Sequence, residues 1–548
     1  MNRKSRAGAP LLLKRSEGSL VPWSLLLALA VSPYPVMAGP LSNVTATRVA
    51  VCTTTNVCWW AGIIDHGYRM PLAEGYEADL SGENYGNQSQ PLLLSSHGDV
   101  IWSDDALGIQ SSPGGLIVES RGGKVCQAKG GSCLRDAFLY ASRTYFPPSG
   151  RAPSEILFSA PQYNTWIELM YNQNQRDILK YAKGIEDNGF PPGVLMIDDN
   201  WQQNYGQWDF RPDKFPEAKA MVRRLHDRGF KVMLWVCPFV NTNCQSFREL
   251  AVRNLVLKDR TGAVALIKWW NGQSALLDLT NPEAVAWFRA QLDRLQSVYH
   301  VDGFKFDGGD SSFYKDTVAF QSVSPNTQSE LYGKIGLHYP LNEYRAMWKM
   351  GGQPLAERLR DKEHSWCDLG KLVPNVLLEG LMGYPFSCPD MIGGGEYKSF
   401  QVGSTVDQNL IVRSAQCHAL MPMMQFSVAP WRVLDRAHLK AVLKAVKVRE
   451  EHKDYILRLV RKSALTGEPV VRSMEYVFPH QGYERVQDQF LLGDEILVAP
   501  ILEKDVCERE VTLPAGVWRG SDGTRYSGPA KLSLRVASDE LCFLQKMD

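Results

Sequence analysis

From about residue 155 the chain settles into a rhythm in which short apolar runs alternate with amphipathic stretches. The run 156–160 reads as a first strand, followed by a helix over 173–188. Residues 193–198 give a second strand, 215–228 a helix and 231–236 a third strand. A long excursion with a hairpin-like turn at 257–262 precedes a helix over 282–299 and a fourth strand at 303–307. A helix near 342–350 then leads to a fifth strand at 354–358. A helix over 372–382 precedes a sixth strand at 385–390, with a seventh around 422–428. A charged helix over 436–461 precedes an eighth at 469–474. Apolar strands alternating with amphipathic helices imply a parallel sheet. Eight such units over roughly 300 residues are the size of a (β/α)8 TIM barrel. No GxGxxG follows the first strand, which argues against a doubly wound open sheet.

The flanks read differently. Residues 39–152 are rich in Gly, Ser and Thr with short alternating runs, and 465–548 alternate similarly. The predicted fold is therefore α/β: a barrel over 153–464, flanked by an N-terminal β-sandwich (39–152) and a C-terminal β-sandwich (465–548). An N-terminal loop is expected to close over the barrel mouth. Residues 1–38 read as a signal peptide: Arg3, Lys4, Arg6, Lys14 and Arg15 precede an apolar run that ends in the small-residue stretch Val36-Met37-Ala38-Gly39. Uncleaved, the same segment would be a single-pass type II anchor, the one route to a membrane. The expected location is the secretory lumen or outside the cell.

A net charge of +1 over 548 residues, without a basic block, argues against nucleic acid as a partner. The eleven cysteines include local couples that suit disulfides: 52 with 58, 126 with 133, 237 with 244, 367 with 388, and 507 with 542. Cys417 is left over as a small buried thiol. No CxxC or His-x-x-x-His spacing occurs, so no metal site or other cofactor is called for. Asn43-Val44-Thr45 and Asn87-Gln88-Ser89 are glycosylation sequons.

A barrel should gather its chemistry at the C-terminal strand ends. Asp198, Asp199 and Trp201 follow the second predicted strand, Trp235 lies in the third, and Lys305 and Asp307 end the fourth. Arg358 ends the fifth, Asp390 the sixth, and Trp431 follows the seventh. Lys305 and Asp307 are two apart, so strand alternation points them to one face, where the cation would hold the carboxylate ionised. A structural ion pair is the plain alternative for these two. For each of the others, capping or core packing is equally plain. Acids, an arginine and aromatics on one rim nevertheless suit a sugar.

Four ordered motifs carry a resemblance: residues 193–199 (GVLMIDD), 305–310 (KFDGGD), 383–390 (GYPFSCPD) and 488–500 (DQFLLGDEILVAP). On these the chain, over roughly 150–548, resembles glycoside hydrolase family 31. Lys305-Phe306-Asp307 and the Gly383–Asp390 stretch are most similar to its myogenesis-regulating glycosidase branch, which implies α-galactosidase activity. The Asp-Met-Asn-Glu motif of the family's α-glucosidases is absent. The resemblance implies a retaining double displacement, with a nucleophile on the fourth strand at Asp307 and a general acid/base on the sixth at Asp390. Their carboxyls should then lie ~5–5.5 Å apart. It further implies that Asp198 or Asp199 binds outer hydroxyls, Trp235 floors the −1 subsite, and Arg358 contacts a hydroxyl. The expected partner is an α-linked oligosaccharide or glycoside. An α-glucosidase, a transglycosylase and a catalytically silent glycan- or protein-binding module are the alternatives.

Overall fold

The structure is a computed structural model that describes residues 44–52, 57–401 and 403–547. The expected signal peptide and the Asn43 sequon lie outside the described residues. Eight parallel strands form the barrel in chain order: Gln162–Asn164, Val194–Ile197, Lys231–Val236, Gly303–Phe306, Leu341–Tyr344, Glu357–Arg358, Ser387–Cys388 and Gln425–Phe426. The eighth strand pairs back onto the first at Gln162–Gln425. A single bridge from Met391 to Gln425 spans the seam between the seventh and eighth.

Seven helices ring the sheet, and polar caps set where several begin. Asn174, Asn281, Ser324, Ser365 and Asp407 each accept a bond from a backbone N–H in the first turn of the helix they open. Pro282 and Pro325 stand at the first helical position behind their caps, where a missing N–H costs nothing.

The strand count shifts by one from the fifth onward. Residues 156–159 form a short helix, and the first strand begins at Gln162. The stretch expected as a helix at 342–350 is strand: Leu341–Tyr344 is the fifth barrel strand, and Met347–Trp348 joins the N-terminal sheet beside Gln88 and Ser89. The helical periodicity is overridden by two sheets that recruit this segment from either side. Glu357–Arg358 is thus the sixth strand and Ser387–Cys388 the seventh. Val471–Arg472, expected to be the eighth, pairs antiparallel with Phe490–Leu492 in the C-terminal sheet.

Two antiparallel sheets precede the barrel. One is built on Gln88–Ser95, Asp99–Ser103 and Val125–Lys129, the other on Arg48–Cys52, Gly115–Ser120 and Leu107–Ser112. The loop before Gln88 reaches the barrel: Asn84 Oδ1 accepts from the Ser311 amide (3.3 Å), and Asn87 Nδ2 donates to the Arg358 carbonyl (3.3 Å). After the barrel, six antiparallel strands wrap one core in which Leu491, Leu497, Val511, Leu513, Trp518 and Leu544 meet.

Two surface expectations are corrected. The pairs Cys126–Cys133, Cys237–Cys244, Cys367–Cys388 and Cys507–Cys542 are free thiols. Cys237 and Cys388 are buried in the barrel, where a thiol packs as a small hydrophobe. Cys244 Sγ donates to the Asn241 carbonyl (3.0 Å). The Cys52–Cys58 pairing rests on a side chain outside the described residues. Asn87 is fully buried with its amide hydrogen-bonded, so that sequon has no room for a glycan. Among the described residues no helix is long and apolar enough to cross a membrane.

Candidate active site

The fourth strand alternates outward aromatics with inward charges. Phe306 stacks on Tyr344 outside the ring (4.7 Å), which leaves Lys305 and Asp307 inside. Gly308 follows with φ +74°, and this left-handed turn frees the strand end for Asp307. Trp235 Nε1 donates to Asp307 Oδ2 (3.1 Å) and the Gly308 amide to Oδ1 (2.9 Å). The direct cation is Arg345, whose Nε donates to Oδ1 at 2.8 Å. Lys305 instead donates to Asp198 Oδ2 at 2.7 Å and acts on Asp307 only through space. Burial alone would raise the Asp307 carboxyl. Arg345, Lys305 and Arg358 outweigh it and hold the group well below the usual carboxylate range.

Asp390 is placed differently from its expectation. It follows the seventh strand, in a left-handed backbone of φ +78°, and its side chain is sealed from solvent. Both oxygens are taken: Arg358 Nη1 donates to Oδ1 (2.8 Å) and the Lys362 amide to Oδ2 (2.7 Å). Burial pushes its pKa up to about 7 against the opposing pull of Arg358. A carboxyl so enclosed cannot touch a glycosidic oxygen, and a proton donor must come within hydrogen-bond reach of the atom it serves. The acid at the end of the sixth strand is Asp361. Its side chain is 47% exposed, and its Oδ1 accepts from the same Arg358 Nη1 at 2.7 Å. Gly395 makes room for it, since a Cβ there would lie 3.0 Å from the Asp361 carboxyl carbon.

Arg358 was expected to contact a hydroxyl, but its guanidinium is 1% exposed and surrounded by carboxylates, with Glu343 3.3 Å from Nε. Asp199 sits on the rim among donors: Tyr205 Oη and Asn271 Nδ2 reach Oδ2 at 2.9 and 2.8 Å, and Gln202 Nε2 reaches Oδ1 at 3.1 Å. Burial raises it to about 6 even so. Trp201 is fully buried. The left-handed turn at Asn200 sends it inward, where Nε1 donates to the Trp235 carbonyl (2.8 Å), so it backs the site without lining it. Trp431 lies outside the ring against Tyr181 and Phe190, over Gly184.

Several residues on this rim were not singled out from the sequence. Arg345 lay in a stretch that reads as a helix, and Asp310, which shares Arg345, closed the 305–310 motif without a role of its own. Trp270 and Asn271 arrive on the hairpin after the third strand, with Arg345 5.6 Å above the Trp270 ring. Asp361 was within reach, because it closes the Glu357–Asp361 stretch that carries Arg358. The miscounted strand hid it.

The model of the glycosyl hydrolases family 31 TIM-barrel domain matches residues 158–459, more than half of the chain, and the family's C-terminal domain matches 467–546. The chain belongs to glycosyl hydrolase family 31. It is 38% identical over 412 residues to the mouse myogenesis-regulating glycosidase, covering 72% of this chain and 57% of that protein. It is 24% identical to the α-xylosidase XylQ of Lactiplantibacillus pentosus, covering 82% of this chain and 61% of XylQ. The chain thus spans about three-fifths of the length of these two relatives. Among solved structures, the Flavobacterium johnsoniae family 31 dextranase FjDex31A, complexed with glucose, superposes with a TM-score of 0.79 at 19% identity, covering 91% of this chain and 66% of that one. That likeness places the family 31 barrel and its flanking sheets on one shared frame.

Proposed function

We propose that this protein is a retaining, exo-acting α-glycoside hydrolase with Asp307 as nucleophile and Asp361 as general acid/base. The observation that carries the reading is the contrast between these two rim carboxyls. Asp307 is held ionised by Arg345 at the end of the fourth strand, while Asp361 is half exposed just beyond the end of the sixth. Asp307 attacks the anomeric carbon as the bond to the departing oxygen breaks, and Asp361 gives that oxygen its proton. Asp361 then takes a proton from water, whose oxygen attacks the same carbon and releases Asp307, so configuration is retained. Asp198, Asp199 and Trp235 lie where they can grip the sugar's outer hydroxyls and ring.

The sugar we propose is galactose. Lys305-Phe306-Asp307 and the Gly383–Asp390 stretch support it, through the family branch that they resemble. The test is release of aryl from α-galactoside, α-glucoside, α-xyloside and α-N-acetylgalactosaminide, with Asp307→Asn and Asp361→Ala alongside. Turnover of the galactoside, abolished by Asp307→Asn, is expected. Asp361→Ala should keep turnover of activated leaving groups and be rescued by azide. Preference for another sugar would overturn the galactose assignment alone. Folded protein without turnover of any of the four would favour a glycan-binding role.

A further inference from the structure

Three carboxylates converge on one guanidinium behind the rim. Arg358 Nη1 is shared by Asp361 (2.7 Å) and Asp390 (2.8 Å), and Nε faces Glu343 (3.3 Å). Arg358, Glu343 and Asp390 are all buried. The two acids therefore compete for one Nη1, and whatever holds Asp390 in place also sets where Asp361 stands.

The surroundings hold this arrangement from several sides. Asp390 is faced by Arg358 from the sixth strand, and by Asp361 and Lys362 from the loop after it. From the seventh strand comes the Cys388 thiol, and from the helix Gln408–Ala419 comes His418, which burial holds at about 4 and therefore neutral. Lys305 offsets Glu343 from the neighbouring fourth strand, but its own ion pair is with Asp198. Gln425 Nε2 completes the support by joining Glu343 Oε2 to Gln162 Oε1, both at 2.7 Å. Glu343 and Arg358 are thus fixed to the wall of the barrel, and the loop of Asp361 hangs from Asp390 through the Lys362 amide.

We infer that Asp390 is a positioning residue that acts through Arg358 and the Lys362 amide. Its two oxygens hold Arg358 Nη1, which Asp361 shares, and the backbone N–H next to Asp361, and so fix the loop that presents Asp361 to the leaving oxygen. The inference rests on Asp361 being the general acid. Without the Asp390 carboxyl the loop loses both anchors, and Asp361 is no longer aimed at the oxygen it serves.

The test is kcat/KM for Asp390→Asn, read on a glycoside with a poor leaving group and on one with an activated aryl group. The rate loss is expected to be at least tenfold larger on the poor leaving group, which depends on an aimed acid. Glu343→Gln, which loosens the same arginine from its other side, should show the same leaving-group dependence to a lesser degree, and it carries the test if Asp390→Asn does not fold. Equal losses on both substrates would overturn the inference. Azide rescue of Asp361→Ala is the separate control: if it fails, the assignment of the acid falls. If it succeeds while the two substrates lose equally, only the role of Asp390 falls.

Discussion

Arg345 is the cation in direct contact with Asp307 at the fourth strand's end, Nε to Oδ1 at 2.8 Å, and it extends the pairing to Asp310 through Nη1 at 3.0 Å. The same Nη1 donates to the Gly86 carbonyl (2.8 Å), which ties Asp307 through Arg345 to the loop of the N-terminal sheets. A planar fork spanning two carboxylates and a carbonyl has no lysine equivalent. Arg345→Lys is expected to lower kcat/KM by at least a hundredfold. Arg345→Ala should cost about 3–5 kcal/mol of stability, because it strands two buried acids. Steady-state kinetics with urea unfolding separates the two effects.

Trp235→Phe keeps the ring in place and removes one donor from Asp307 Oδ2. A hydrogen bond to a charged group contributes about 1.5–3 kcal/mol, so kcat/KM should fall roughly ten- to a hundredfold. The core behind it should hold, since Trp201 donates to the backbone carbonyl of residue 235. A variant that melts well below wild type would contradict this division of roles.

Alternation alone puts Lys305 and Asp307 on one face, and that much of the site is legible in the sequence. The partner of Lys305 is not, because Asp198 lies 107 residues away and meets it only when the barrel closes. The choice between Asp390 and Asp361 turned on a strand count that slipped where Met347–Trp348 leaves the barrel to join another sheet. Burial is what separates the two acids, and burial is a property of closure that no local pattern encodes. Trp431 shows the converse: an aromatic after a strand end reads as a platform, yet Gly184 on the neighbouring helix gives it a seat outside the ring.

Burial raises several carboxyls, Asp390 and Asp199 among them with Glu343, Glu357, Glu379 and Glu475, and this sets a pH dependence of stability. Asp390, at about 7, and Asp199, at about 6, bind their protons more tightly folded than unfolded. Their contribution is full below the unfolded carboxyl value and is lost as pH rises through 6 and 7, by up to about 1.4 kcal/mol per unit for each group. Asp307 has the opposite sign: its depressed carboxyl stabilises above the unfolded value and loses that as pH falls. Unfolding free energy should therefore decline from pH 5 to 8, and Asp390→Asn should make the decline shallower. A variant with the wild-type slope would show that the proton resides elsewhere.

Asn87 offers a test of the loop that backs both arginines. Its Nδ2 donates to the carbonyls of Arg345 and Arg358, and its Oδ1 accepts from the Arg360 amide (3.3 Å). Peptide mass spectrometry of protein made in a glycosylating host should find Asn87 unmodified. Asn87→Ala would leave the Arg360 N–H without its partner in a half-buried site and should cost about 1–3 kcal/mol.

Lys305 and Asp198 are each almost fully buried and meet at 2.7 Å. Breaking a buried pair by removing one partner leaves an uncompensated charge and typically costs about 3–5 kcal/mol, whereas removing both can be nearly neutral. Lys305→Met and Asp198→Leu should each destabilise strongly, and the double variant should recover most of the loss. Activity should part company with stability in this cycle. Lys305 helps to keep Asp307 ionised, and Asp198 stands on the second strand's rim where a sugar hydroxyl would bind. The double variant should therefore be stable and inactive. If it regained turnover along with stability, the pair would be a strut for the barrel mouth, and the binding of the sugar would fall to Asp199, Trp235 and Trp270.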